Sequence, residues 1–277
     1  MLKPIELKSS KAREYLKPRS PDSHKGQNGR LAIVGGSSKY YGSPALVGLA
    51  AYRSGADLVY IVAPEAVAPT IAGYSPDLMV WSYQGERLNE SAFDVVNELS
   101  EKTDALVIGN GLTKEKSVLD AASRIGERWK KELVIDADCI GAVKKKGAVY
   151  TPHVVEFKRL SGKMPHEEIG ERCEQVKALA AELEATVILK GKIDVISDGE
   201  KIAINKTGNA GMTCGGSGDT LTGIVGAMLA TGHSHFRAAC LGAYLNGLAG
   251  DLAYKKLENS LIASDIIEAL PHALKTL

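Results

Sequence analysis

Thr213-Cys214-Gly215-Gly216-Ser217-Gly218-Asp219 runs without a break into Thr220-Leu221-Thr222-Gly223-Ile224-Val225-Gly226-Ala227-Met228-Leu229-Ala230. Glycines at 215, 216 and 218 leave no Cβ to obstruct backbone N–H groups that turn inward. A helix starting directly afterwards adds its positive dipole end, so Gly215, Gly216, Ser217 and Gly218 have the makings of an anion cradle. The helix is predicted from about Thr220 to Ala230. Leu221, Ile224, Val225, Met228 and Leu229 are interleaved with Gly223, Gly226, Ala227 and Ala230, which makes it apolar nearly all round. Such a helix belongs in the centre of a protein. Asp219 at its start admits two roles: a group acting on whatever occupies the cradle, or an N-cap satisfying free backbone N–H groups. The glycines just ahead and the central helix behind favour the first.

Upstream, the apolar run Leu31 to Val34 is followed by a turn at Gly35 and Gly36 and a helix signalled by Ser43 and Pro44, with Gly55 closing it. Leu58 to Val62, Ala105 to Ile108 and Leu133 to Ile135 are short continuous apolar runs of the kind buried on both faces. Strands of that type alternating with helices predict a parallel sheet covered by helices. Ile169, Cys173, Val176, Leu179, Ala180 and Leu183 form one stripe of a long amphipathic helix feeding a strand from Thr186 to Lys190. Ile193 to Ser197 and Lys201 to Ile204 flank Asp198-Gly199, a hairpin dipeptide, so part of the sheet is expected to be antiparallel. There is no fixed-period repeat and no low-complexity segment. The expected architecture is α/β, a doubly wound, mostly parallel mixed central sheet with helices on both faces, in one domain over residues 1–277.

The 277 residues are 44% hydrophobic and 24% charged, enough to bury a sizeable core. Thirty-four basic and 33 acidic residues are spread along the chain for a net charge of +1, so no charged surface suggests nucleic acid or anionic lipid as a partner. Lys144, Lys145 and Lys146 before Gly147 read as a solvated turn. Residues 1–19 lack the apolar stretch of a signal peptide, and no segment approaches the ~18 apolar residues that span a membrane. A cytoplasmic location is therefore expected. Cys139, Cys173, Cys214 and Cys240 show no CxxC spacing and are expected to be reduced and mostly buried.

Gly216-Ser217-Gly218-Asp219 and the helix after it resemble the GTGD signature of the ribokinase-like superfamily. Asn209-Ala210-Gly211-Met212-Thr213 ahead of it is similar to the NxGM(A/T)xGG(T/S)GD pattern of ADP- or ATP-dependent NAD(P)H-hydrate dehydratases. Gly29-Arg30 through Gly36-Ser37 with Tyr41-Gly42-Ser43-Pro44-Ala45 resembles that family's GGSxxYxGAP block. Gly109-Asn110-Gly111-Leu112 resembles its GPGLG turn, Val134 to Asp138 its LDAD strand end, and Thr151-Pro152-His153 with Glu156 its TPHPGE motif. Lys190-Gly191-Lys192 resembles its KGxxT motif. The matches fall in the family's order across roughly residues 29 to 251.

The resemblance implies an enzyme, a hydro-lyase, that uses ADP or ATP with Mg²⁺ to dehydrate the S epimer of hydrated NADH or NADPH and restore the reduced cofactor. It implies phosphorylation of the ring hydroxyl followed by expulsion of phosphate, with Asp219 as general base. Ala45, Gly111, His153 and Asp219 would meet the hydrated cofactor, and Lys190, Gly191, Lys192, Ile193, Asp194 and Gly218 the nucleotide. Glu156 would organise Mg²⁺-bound water, although Val154 and Val155 replace the family's Pro-Gly there. On spacing alone, His153 and Glu156 fit a solvated helix end. Asp194 replaces the family's Thr, and a carboxylate near phosphates is unfavourable unless Mg²⁺ or Lys192 compensates. Asp136 and Asp138 fit either ligand contacts or turn caps. Cys214 reads as a packed side chain rather than a nucleophile. The family pattern also implies a homo-oligomer. Only 28 residues precede the first matched block, so a separate epimerase rather than a fused one is expected. Two other functions fit the cradle: a ribokinase-like kinase of a vitamin or sugar alcohol, and a non-catalytic nucleotide-binding regulator.

Overall fold

The computed structural model describes residues 3–277. Its first elements are β1 (Ile5–Glu6), α1 (Ser9–Tyr15), β2 (Arg30–Val34), α2 (Gly42–Arg53), β3 (Leu58–Pro64), α3 (Ala68–Ala72) and β4 (Met79–Tyr83). Next come α4 (Ala92–Lys102), β5 (Ala105–Ile108), α5 (Lys116–Arg128), β6 (Glu132–Ile135), β7 (Val149–Tyr150), α6 (Val154–Ser161) and α7 (Ile169–Leu183). The last are β8 (Thr186–Leu189), β9 (Asp194–Ser197), β10 (Ile202–Asn205), α8 (Ser217–Ala230), α9 (His235–Leu257) and α10 (Ala263–Lys275).

The apolar runs are strands because alternate side chains enter different cores. Leu31, Ile33, Ala105 and Val107 pack with α2, α8, α9 and α10 on one face of the sheet. Ala32, Val34, Leu106 and Ile108 pack with α4, α5 and α7 on the other. The strand order is β1-β10-β9-β8-β7-β6-β5-β2-β3-β4. From β4 to β8 along that order every pairing is parallel, while β9 runs antiparallel to both β8 and β10, the second of these being the hairpin that the Asp198-Gly199 dipeptide predicts. Strand β1, two residues long and too short to carry a period, runs parallel to β10 at the sheet edge.

Helix α8 is buried along its length from Thr220 to Ala230. It fits there because its backbone touches a neighbour: a Cβ on Gly223 would stand 2.3 Å from the carbonyl oxygen of Val47 in α2. It begins at Ser217, three residues earlier than predicted, so Asp219 lies inside its first turn.

After β2 the chain moves to one side, through α2 to β3, and after β4 it returns to the other side of β2 as β5. The loops that leave β2 and β5 therefore part company at a switch point, where open α/β sheets place ligands. Gly36 N–H donates to Asn110 O at 3.0 Å across it. The next turn is as tight: Gly109 has φ +129°, and a Cβ there would lie 1.9 Å from Asp136 O. Gly109→Ala is expected to destabilise the fold by ~3 kcal/mol or more, because backbone must move and the φ is unfavourable. Gly147→Ala is the control, since Gly147 has φ +69° in open space and only the ~1–2 kcal/mol left-handed penalty applies. Denaturant melts of the two variants give the comparison.

Candidate active site

Five segments leaving the carboxyl ends of parallel strands converge with the start of α8, and their hub is Asp136 after β6. This carboxylate is 2% exposed and receives donors from four other segments. Asn110 Nδ2 (2.9 Å) and Thr222 Oγ1 (2.8 Å) reach its Oδ2, while Thr151 Oγ1 (2.6 Å) and Lys190 Nζ (3.1 Å) reach its Oδ1. A carboxylate has about four acceptor sites, so Asp136 is fully occupied holding its neighbours. Burial alone would push its pKa up, but Lys190 and the hydroxyls of Thr151 and Thr222 hold it below the ordinary aspartate value. Asp138 stands apart, with Lys114 Nζ at 3.9 Å.

Lys190 leaves the end of β8 and lies between two carboxylates, Asp136 and, at 3.9 Å, Glu156 Oε2. Burial works against its charge, yet the two carboxylates outweigh that and hold its pKa above the usual lysine value. Its Nζ is 3.5 Å from where a Cβ on Gly218 would stand. The ammonium therefore sits against the first turn of α8. That helix is capped by Gly216, with φ +94° and no side-chain capping bond, and its first backbone-bonded donor is Thr220 N–H to Gly216 O. The N–H groups of Ser217, Gly218 and Asp219 are left to an incoming anion, and the helix dipole and the ammonium point to the same place.

Asp219 is not the cap of α8. Its Oδ1 accepts from Asn110 Nδ2 at 2.7 Å instead. Burial and the nearby Asp136 push its carboxyl up to about 6, against the opposing hydrogen bonds from Asn110 and Ser43. A carboxylate with that pKa is ionised at neutral pH and basic enough to take a proton.

His153 and Glu156 form a capping box at the start of α6. His153 Nδ1 accepts from Val155 N (3.0 Å) and Glu156 N (3.4 Å), and Glu156 Oε2 accepts from His153 N at 2.8 Å. With Nδ1 accepting, a neutral imidazole carries its proton on Nε2, which faces Glu156 Oε1 at 3.3 Å. The pair is not a simple solvated end, because Glu156 is buried and burial raises its pKa. His153 itself is exposed.

Gly191 and Lys192 are exposed and Ile193 packs on the core. Asp194 is held by Gly191 N and Asn205 Nδ2, both at 3.0 Å, and not by Lys192. Burial pushes its carboxyl up to about 6. Ala45 is 3% exposed in the core beside α8, and Gly111 meets the β2–α2 loop at the switch point. Cys214 is half-buried, and burial raises its thiol pKa, as a packed side chain requires. Asn110 escaped notice in the sequence because it reads as variation within the GPGLG turn, and nothing nearby in sequence hints at Asp136 or Asp219.

The fold and this site define the class as ribokinase-like. A ribokinase-like superfamily protein from Enterococcus faecalis V583 superposes with a TM-score of 0.85 at 26% identity, over 98% of this chain and 96% of that one. The ADP/ATP-dependent NAD(P)H-hydrate dehydratase of Bacillus subtilis, co-crystallised with ATP/Mg²⁺, gives 0.84 at 28% identity over 98% of both chains. A family model described as NAD(P)H-hydrate dehydratase matches residues 31–272, and the chain belongs to that family. The ADP-dependent (S)-NAD(P)H-hydrate dehydratase of Cenarchaeum symbiosum is 37% identical over 270 residues, 95% of this chain and 94% of that protein. The bifunctional NAD(P)H-hydrate repair enzyme Nnr of Pyrobaculum aerophilum is 41% identical over 263 residues, 93% of this chain but 52% of its own length. The chain thus spans about half the length of several curated relatives it matches.

Proposed function

We propose that this protein is a hydro-lyase that uses ADP or ATP to dehydrate the S epimer of hydrated NADH or NADPH. The observation that carries the reading is the convergence of Asp219, held by Asn110, with the start of α8, which no side chain caps, and the Lys190 ammonium. The names of the C. symbiosum and B. subtilis proteins supply the substrate class. In this reading the terminal phosphoryl group of the nucleotide lies on the N–H groups of Gly218 and its neighbours, with Lys190, Gly191, Lys192 and Ile193 along the phosphates. Asp219 removes the proton of the ring hydroxyl as its oxygen bonds to phosphorus and the bond to the leaving nucleotide breaks. Phosphate then departs with the electrons of the C–O bond, and loss of a proton from the adjacent ring carbon restores the double bond. His153, Gly111 and Ala45 are read as the residues that meet the nicotinamide.

Mg²⁺ is read as arriving with the nucleotide. The donor chemistry fits: Glu156 presents a carboxylate beside Lys190, suited to hold metal-bound water, while Asp136 has no lone pair to spare. Among the described residues no three His, Cys, Asp or Glu side chains are grouped to cage a metal, so phosphate oxygens would supply most of the shell. Mg²⁺ would neutralise charge on the phosphates. A homo-oligomeric state, an epimerase as partner and a cytoplasmic location complete the reading. Four free cysteines suit a reducing compartment, and no helix among the described residues is long and apolar enough to cross a membrane.

The test is recovery of reduced-nicotinamide absorbance from hydrated NADH with Mg²⁺ and either nucleotide. Recovery supports the reading, and none with either nucleotide overturns it. The rate should fall as pH drops through about 6, because the protonated Asp219 carboxyl cannot accept a second proton. A pH–rate profile without an acid limb near that value contradicts the assignment of the base.

A further inference from the structure

We infer that Asn110 is a positioning residue for Asp219, holding the reacting carboxylate in place and ionised. The inference rests on the reading of Asp219 as general base. Asn110 is wholly buried, and both N–H bonds of its amide are spent on carboxylates: 2.9 Å to Asp136 Oδ2 and 2.7 Å to Asp219 Oδ1. The opposite amide orientation would set its oxygen against two carboxylates, so the donors must face them. In the orientation that remains, Asn110 Oδ1 is buried without a hydrogen-bond partner. A folding role alone does not account for leaving a buried acceptor unpaired. Bridging two carboxylates that would otherwise repel does account for it, because the amide supplies each with a donor and adds no charge.

The charged groups facing Asp219 are Asp136 after β6 and Lys190 after β8, and the neutral donors are Asn110 after β5 and Ser43 of α2. Of the neutral donors, Asn110 alone also ties Asp219 to the Asp136 hub. Hydrogen bonds to the charged form of a carboxyl favour that form, so losing this one moves the proton equilibrium of Asp219 upward.

The experiment compares the full chain with Asn110→Leu, which keeps the bulk and loses both donors, and with Asn110→Ser, which keeps polarity but shortens the reach. The carboxyl of Asp219 is titrated by NMR of aspartate-labelled protein, its signal identified by its loss in Asp219→Asn. Turnover of hydrated NADH is followed against pH in parallel. Both variants should raise the Asp219 titration by about one unit, with the acid limb of turnover moving by the same amount and nucleotide affinity unchanged. Protonation of Asp219 alone should then lower turnover at neutral pH about twofold, and that part of the loss should recover at higher pH. An unmoved titration, or a rate lowered by the same factor at every pH, overturns the inference. A raised titration in a protein inactive on the hydrate upholds the positioning role and sinks the proposed reaction instead. If Asn110→Leu fails to fold, Asn110→Ser carries the same comparison.

Discussion

Asp219→Asn lowers turnover by ~10²- to 10⁴-fold while nucleotide affinity stays at the parent value, the loss expected for a positioned general base. The amide keeps an oxygen at the place where Asn110 now donates at 2.7 Å, so the local architecture survives. Stability should hold or rise. The folded-state pKa of Asp219 is raised to about 6, so the stability this group contributes is present below its unfolded pKa and lost as pH rises through about 6. At neutral pH the parent carries that loss and the Asn variant does not. Asp219→Ala should lose turnover equally but leave the Asn110 donor unpaired, at a cost of about 1–3 kcal/mol. Turnover, melting temperature and nucleotide affinity measured together decide the matter, and near-parental turnover in Asp219→Asn would remove the base from the mechanism.

Lys190→Ala is expected to be the most damaging single truncation at the site. It leaves Asp136, 2% exposed, with no cation and strips Glu156 of the same partner. Breaking a buried pair in this way costs about 3–5 kcal/mol. The loss should shrink as pH falls into the carboxyl range, because protonated Asp136 no longer needs the ammonium. Nucleotide affinity should fall about 10- to 100-fold, whereas that for the hydrated cofactor should change little, since Lys190 meets phosphate as a point charge. Thermal melts across pH and calorimetric titration of both ligands give the two numbers. Equal losses for both ligands would move the phosphate site elsewhere.

The parallel strands were legible because burial on both faces leaves no polar side chain to interrupt them, as in β5, Ala105–Ile108. Helix α7 was legible to the residue, Ile169–Leu183, because one face meets solvent and the stripe stands out. The two-residue strands β1 and β7 carry no period at all, and half-buried β4 blends into its loops. At the site, local chemistry was readable: the glycines before α8, Asp219 and the Lys190 turn each signal within a few residues. The Asp136 hub was not, because its donors Asn110, Thr151, Lys190 and Thr222 lie up to 86 residues away and meet only once the strands are in register. The cap role that Asp219 could also fill from its sequence position falls to Gly216.

The most direct test of the central claim is the ratio of inorganic phosphate released to NADH restored, measured with hydrated NADH, Mg²⁺ and the nucleotide. Phosphoryl transfer to the ring hydroxyl followed by elimination predicts one phosphate for each NADH, and no NADH when the nucleotide is left out. Restoration without nucleotide, or a phosphoester that accumulates without yielding NADH, would contradict it.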